Sequence, residues 1–295
     1  MKSLLEEIKK GKVLVSDGAW GTFLYQRGLQ QGECPELWNI THRDDVLAIA
    51  KSYIDAGADM ILTNSFGGSP VRLRHYELNE RAFELNEAAA AISREAAGED
   101  HFVLGSIGPS GAMMMMGETS EEELFEGFSL QAEALKRGCV DAICVETMTD
   151  IQEAAIAVRA AKQATGLEVI CTFTFDKTVS GEFKTMMGVS PEEMVSAMKD
   201  EGADIIGTNC GNGFENMLGI VKEIRMVDKT TPVLVHANAG LPIFNNGKVD
   251  YPETPDMMAS RVNELIEIGA NIIGGCCGTT PLHIKAIADV IRKRK

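Results

Sequence analysis

Eight short apolar runs punctuate the chain: Val13–Asp17, Met60–Phe66, Phe102–Pro109, Ala142–Met148, Val169–Phe175, Ile205–Cys210, Val233–Asn238 and Ile272–Cys277. All read as strands. Between them lie segments such as Arg43–Ala56, Glu121–Arg137, Ile151–Ala164, Pro191–Glu201 and Pro255–Ile268, where apolar residues recur at helical spacing and glycine follows several ends. Eight alternating βα units predict an α/β fold, a (βα)8 TIM barrel forming a single domain over residues 1–295.

Four of these strands share a register. Each follows a helix ending in glycine: Gly57-Ala58-Asp59, Gly138-Cys139-Val140-Asp141, Gly202-Ala203-Asp204 and Gly269-Ala270-Asn271. Counting eight residues on from each glycine lands on Ser65, Glu146, Cys210 and Cys277. Alternate strands of a barrel contribute one layer of inward side chains, and reactive groups sit at the carboxyl ends, so these four are expected on one ring. The odd strands end in Asp17-Gly18-Ala19-Trp20-Gly21-Thr22, Gly105–Gly111 and Asn238-Ala239-Gly240, which face the same mouth. None has the strand–GxGxxG–helix or P-loop context of a nucleotide site, so the glycines serve close approach of a substrate to the backbone.

Length alone would suggest about two domains, but barrels of this size run as one. With 45% apolar and 24% charged residues the chain has material for a large core, which argues against disorder. A net charge of −15 argues against nucleic acid or an anionic membrane as a partner, since both need a basic footprint. The basic tail Arg292–Lys295 reads as a solvated last helical turn. No apolar run reaches membrane-span length, and Met1–Glu7 lacks the apolar core of a signal peptide. The seven cysteines sit mostly in or beside apolar runs rather than in disulfide-style loops, so the chain reads as cytoplasmic.

The chemistry concentrates in Gly274-Gly275-Cys276-Cys277-Gly278 together with Cys210. Neighbouring strand residues point to opposite faces, so Cys276 and Cys277 reach one ion only if the backbone leaves strand geometry, which the glycines permit. Three thiolates would leave Zn²⁺ one open position. A substrate thiol entering it would be ionised, and the anionic ligand set favours thiol alkylation over hydrolysis. Cys139, Cys144 and Cys171 read as buried small hydrophobes, and Cys34 lies in a loop. His236 is expected one layer below Asn238, while His42, His75, His101 and His283 read as solvated. Asp17 and Glu146 at the mouth could take a substrate ammonium or satisfy backbone N–H groups. Met113–Met116 reads as soft packing in a lid.

Asp17–Thr22, Thr63–Phe66, Gly108–Gly111, Glu146–Asp150, Asn209-Cys210, Asn238–Gly240 and Gly274–Pro281, in order and almost end to end, resemble the homocysteine S-methyltransferase family. The resemblance implies catalytic zinc on Cys210, Cys276 and Cys277 with homocysteine sulfur as the fourth ligand. It also implies that Asp17 and Glu146 bind the amino-acid part of homocysteine, and that Asn238 lies near the metal. Ser65, on the same ring, joins the expected substrate contacts. Through Asn238–Pro242 and Gly247–Tyr251 the chain looks most like the homocysteine module of cobalamin-dependent methionine synthases. The implied donor is a methyl-corrinoid (cobalamin), delivered by a separate corrinoid protein because no corrinoid module follows the barrel. Relatives using S-methylmethionine or betaine share the zinc site, which keeps those donors, or another thiol acceptor, as alternatives. A non-catalytic zinc-stabilised docking subunit would instead need a closed four-ligand site. A redox role is disfavoured because adjacent cysteines close a strained ring.

Overall fold

The computed structural model describes residues 3–245 and 248–294. Its eight parallel strands are β1 (Leu14–Val15), β2 (Met60–Leu62), β3 (Phe102–Ile107), β4 (Ala142–Met148), β5 (Glu168–Phe173), β6 (Ile205–Asn209), β7 (Val233–Ala237) and β8 (Ile272–Gly275). They hydrogen-bond in the order β1-β8-β7-β6-β5-β4-β3-β2, a nearly closed barrel. Eight helices cover it: α1 (Arg43–Asp55), α2 (Ala82–Ala97), α3 (Glu121–Arg137), α4 (Ile151–Thr165), α5 (Pro191–Asp200), α6 (Phe214–Val227), α7 (Pro255–Glu267) and α8 (Pro281–Lys293). Several helices start where the sequence supplies caps, whereas α1, α2 and α6 have no side-chain cap. Ser190 and Glu193 form a reciprocal capping box at α5, and the Asp150 side chain accepts from Gln152 and Glu153 N–H at α4.

Every even strand is tied to the odd strand before it by one Asx residue at its entrance. The Asp59 N–H donates to Val15 O (2.7 Å) and its Oδ2 accepts from Val15 N (2.8 Å). Asp141 does the same with Val103 (2.8 and 2.8 Å) and Asp204 with Val169 (2.8 and 2.8 Å). Asn271 completes the set with Val233 (2.8 and 2.9 Å). A backbone pair plus a side-chain acceptor fixes the stagger of each strand pair. The Asp59 clasp also spans the seam between β1 and β2, where Asp17 Oδ2 accepts a further N–H from Leu62 (2.8 Å).

Each clasp lies two residues past a left-handed residue: Gly57 (φ 99°), Cys139 (φ 75°), Gly202 (φ 85°) and Gly269 (φ 106°). The second of these corrects the sequence reading in two respects. Helix α3 ends with Gly138 at φ −76°, so Cys139 carries the left-handed turn, and it is exposed rather than buried. Glu146 is therefore one residue nearer its turn than Ser65, Cys210 and Cys277 are to theirs. An irregular pairing between Val145 and Met148, with Thr147 at φ 61°, accompanies that difference.

The barrel interior is an apolar layer of Leu14, Met60, Leu62, Leu104, Cys144, Ile170 and Ile272, closed below by Leu4 of an N-terminal helix, Leu4–Lys9. Glu168 anchors that helix by accepting from Leu4 N (2.8 Å) and from Ser3 Oγ. Cys171 packs in the outer core between sheet and helices. Two hairpins, Asp176–Lys177 with Phe183–Lys184 and Ile243–Asn245 with Lys248–Asp250, decorate the loops and were not predicted. Gly247 and Lys295, used in the sequence reading, lie outside the described residues. Among the described residues no helix is long and apolar enough to cross a membrane.

Because Asn271 performs the clasp as an amide, Asp59→Asn should leave stability within about 0.5 kcal/mol. Asp59→Ala strands the Val15 N–H and should cost about 1–3 kcal/mol. Urea unfolding of the two variants checks this, and equal losses would show that the bond to Val15 contributes nothing.

Candidate metal and substrate site

Strand β8 stops at Gly275, and the chain turns so that two consecutive cysteines face one point. A Cβ at Gly274 would lie 2.8 Å from Asp17 O, and one at Gly275 would lie 2.3 Å from Thr279 Oγ1, so neither position takes a side chain without displacement. The turn is pinned by Cys276 N to Ala237 O (2.7 Å), Ala239 N to Cys277 O (3.0 Å) and Thr279 Oγ1 to Cys276 O (2.7 Å). The backbone thus leaves strand geometry, as a shared ion requires. Cys210 arrives from β6 with φ 60°, held by its N–H on His236 O (2.9 Å) and by Asn212 N on its own carbonyl (2.7 Å).

The sulfurs of Cys210, Cys276 and Cys277 lie within 4.8 Å of one another, with Cys210 and Cys277 at 3.9 Å. Hydrogen bonds from Cys210 and Cys276, with a further one from Tyr251, hold the Cys277 thiol well below its ordinary range. Hydrogen bonding to Cys210 and then Cys277 pushes Cys276 well up. The three thiols are coupled through their mutual hydrogen bonds, and the cluster can hold a soft cation.

These sulfurs border a cavity of about 290 Å³ that Asp17, Glu146, Ser65, Trp20 and His236 also line. Asp17 is fully buried; its Oδ2 accepts from Leu62 N and from Trp20 Nε1 (2.8 Å each). Glu146 accepts from Ser106 Oγ (2.5 Å) and from Asn209 Nδ2 (3.3 Å). Burial pushes both carboxyls up to about 7, against these hydrogen bonds. No lysine or arginine lines the cavity among the described residues. Of the two roles open to these carboxylates, Asp17 takes one backbone N–H at the seam, whereas both partners of Glu146 are side chains. Two buried acids without a counter-ion create a demand for a cationic group.

The remaining expected residues fall differently. Ser65 reaches the cavity, but its hydroxyl donates to Ser106 O (2.7 Å) and pairs with Thr63 Oγ1 (2.6 Å). Asn238 is buried with its Oδ1 unpartnered and does not line the cavity. His236 is buried, held neutral by burial with its pKa lowered to about 3, and stands apart from the sulfur cluster with Nε2 unpartnered. His283, read as solvated, is buried instead: Nδ1 caps α8 through Thr280, and Nε2 meets Glu253 O at 2.9 Å. Met113, Met115 and Met116 are largely exposed rather than packed into a lid. Ser106, Asn209, Thr147 and Tyr251 carried no role in the sequence reading. The first three act through hydrogen bonds that no spacing displays, and Tyr251 follows a hairpin with no apolar run to announce it.

A family model described as homocysteine S-methyltransferase matches residues 14–291. Methionine synthase of Mycobacterium tuberculosis (strain ATCC 25618 / H37Rv) is 31% identical over 99% of this chain and 26% of its own length. That of Mycobacterium leprae (strain TN) is 32% identical over 98% and 25%. The chain thus spans about a quarter of these relatives. The structure of homocysteine methyltransferase MmuM from Escherichia coli, metallated form, shares the fold, with a TM-score of 0.79 at 22% identity over 97% of this chain and 99% of that one.

Raised carboxyl pKa values have a direct consequence for stability. Between pH of about 4 and 7 the folded, ligand-free chain keeps protons that the unfolded chain has released, so stability falls as pH rises through that window. Glu146→Gln should remove part of the penalty, raising stability of the metal-free protein by roughly 1–3 kcal/mol at pH 8 and scarcely changing it at pH 4. Urea unfolding at both pH values measures the gap, and a gap that does not widen with pH would contradict the assignment.

Proposed function

The chain belongs to the homocysteine S-methyltransferase family, and on that premise we propose that it methylates homocysteine to methionine with zinc held by Cys210, Cys276 and Cys277. The observation that carries this reading is a pair of buried carboxylates, with no lysine or arginine beside them among the described residues, in the same cavity as three converging sulfurs. A ligand bearing an ammonium at one end and a thiol at the other answers both features. The donor set is all sulfur and soft, which suits zinc, and zinc bound there supplies the charge that ionises a substrate thiol.

The chain's own residues do the positioning. Asp17 and Glu146 take the ammonium, with Trp20, Ser106 and Asn209 orienting the two carboxylates. The cysteine sulfurs mark where the substrate sulfur must lie, and the apolar floor keeps water from beneath it. The ionised sulfur then attacks the donor methyl in line. An S–C bond forms while the methyl–donor bond breaks, its electrons leaving with the donor and the thiol proton passing to solvent. Holding both reactants in this geometry lowers the barrier through proximity.

The donor we propose is a methyl-corrinoid presented by a corrinoid protein. Likeness to the methionine synthases supports this choice. A corrinoid is too bulky for a 290 Å³ cavity, so its methyl would be offered at the mouth, beside the half-exposed Phe66 that lines it.

Purified protein should hold about one zinc per chain, and Cys210→Ala should hold markedly less. Metal analysis decides the point; equal zinc in both proteins would remove Cys210 from the ligand set. X-ray absorption should show a light-atom ligand replaced by sulfur when homocysteine is added.

Methionine should form from homocysteine with a methylated corrinoid protein, and more slowly with free methylcobalamin, which lacks the protein contacts. Betaine and S-methylmethionine at equal concentration should give none. Turnover with S-methylmethionine alone would replace the corrinoid as donor and leave the thiol chemistry standing. Asp17→Asn and Glu146→Gln should weaken homocysteine binding, measured by calorimetry, with zinc retained.

A further inference from the structure

Asn209 belongs to neither the sulfur cluster nor the carboxylate pair, yet it hydrogen-bonds one of the carboxylates and directly precedes one of the cysteines. It is fully buried at the end of β6, directly before Cys210. Its Oδ1 accepts from Thr147 N and from Thr172 Oγ1 (2.8 Å each). Its Nδ2 donates to Thr147 Oγ1 (2.7 Å) and to Glu146 Oε2 (3.3 Å). Thr147 and Cys210 both sit in the left-handed region, at φ 61° and 60°. A β-branched residue stays there only when its surroundings hold it, and Asn209 grips Thr147 at both its N–H and its hydroxyl. The same stretch is where β4 loses regular pairing, between Val145 and Met148, and where Glu146 turns toward the cavity.

We propose that Asn209 is a positioning residue that sets the span between the ammonium site and the sulfur site, and so selects homocysteine over the shorter cysteine. By keeping Thr147 left-handed it aims Glu146. By preceding Cys210 in the chain it ties that aim to one of the three sulfurs. A cysteine ligand lacks one methylene, so it cannot reach both ends of a rigid span, whereas a loosened Glu146 would follow it. The inference deepens the proposed function and rests on it.

The test is calorimetry on the zinc-loaded protein with homocysteine and with cysteine as ligands. Wild type should prefer homocysteine by about 10- to 200-fold, the range one methylene commands. Asn209→Ala should weaken homocysteine binding by about 10- to 100-fold, leave cysteine binding nearly unchanged, and keep zinc at one per chain. Asn209→Asp, the same size and retaining both acceptor contacts, should behave similarly because it faces Glu146 with an acceptor; it carries the test if the alanine variant does not fold. Adding Thr147→Gly to Asn209→Ala should recover part of the homocysteine affinity, since glycine takes φ near 60° unaided.

Homocysteine binding at wild-type strength in both Asn209 variants would overturn the proposal. So would equal weakening for both thiols with no recovery in the double variant, which is the mark of a merely structural role. Failure of the wild type to bind homocysteine at all would instead bring down the functional reading beneath it.

Discussion

The site depends on one repeated interaction: an Asx residue at the entrance of each even strand that takes both the N–H and the C=O of the odd strand before it. Four such clasps set the stagger of the barrel in pairs. Parallel strands can slide against each other by whole residues, and each slip would carry an inward side chain out of its layer. With Asp59, Asp141, Asp204 and Asn271 fixed at one end, Ser65, Glu146, Cys210 and Cys277 reach the other end at the same cavity. The chemistry at the mouth is thus registered by bonds at the base, the full length of the strands away.

The mouth itself is electrostatically unfinished. A cavity that raises two carboxyls toward neutrality and gathers three sulfurs is strained toward positive charge from both sides. Burial supplies that tension, because it withdraws the acids from most of the solvent and, among the described residues, no basic side chain lines the cavity to compensate. A cationic group bound there, as the proposed function requires, would relieve an unfavourable arrangement of the protein's own groups. Trp20, Ser106 and Asn209 moderate the tension by hydrogen bonding and fix the direction in which each acid points.

Much of this was legible in the sequence, for reasons the structure makes plain. Glycine counting worked at Gly57, Gly202 and Gly269 because each supplies a left-handed turn two residues before a clasp. At the fourth unit it reached Glu146 from the wrong residue: Cys139 makes the turn, and Glu146 still enters the cavity beside a local irregularity. Cysteine spacing announced a metal-capable cluster because no core requires Cys276 and Cys277 side by side. The two hairpins left no trace, being short and partly polar, although Phe183 of the first packs into the core. His283 looked solvated because helical spacing does not reveal that a ring nitrogen caps the helix while the other meets Glu253 O. The work of Asn209 stayed hidden because backbone strain at Thr147 has no signature in composition or period.

The floor of the barrel imposes a sequence of events. Leu4 and the apolar layer above it fill the interior from below, and among the described residues the cavity is lined from the carboxyl-end side of the strands. Under the function proposed above, acceptor and methyl donor would share that doorway. A corrinoid seated over it would bar the smaller reactant, so the thiol would have to be inside first and the methylated product could leave only after the spent donor had withdrawn. Turnover would then be compulsory-order, with the donor acting as the door.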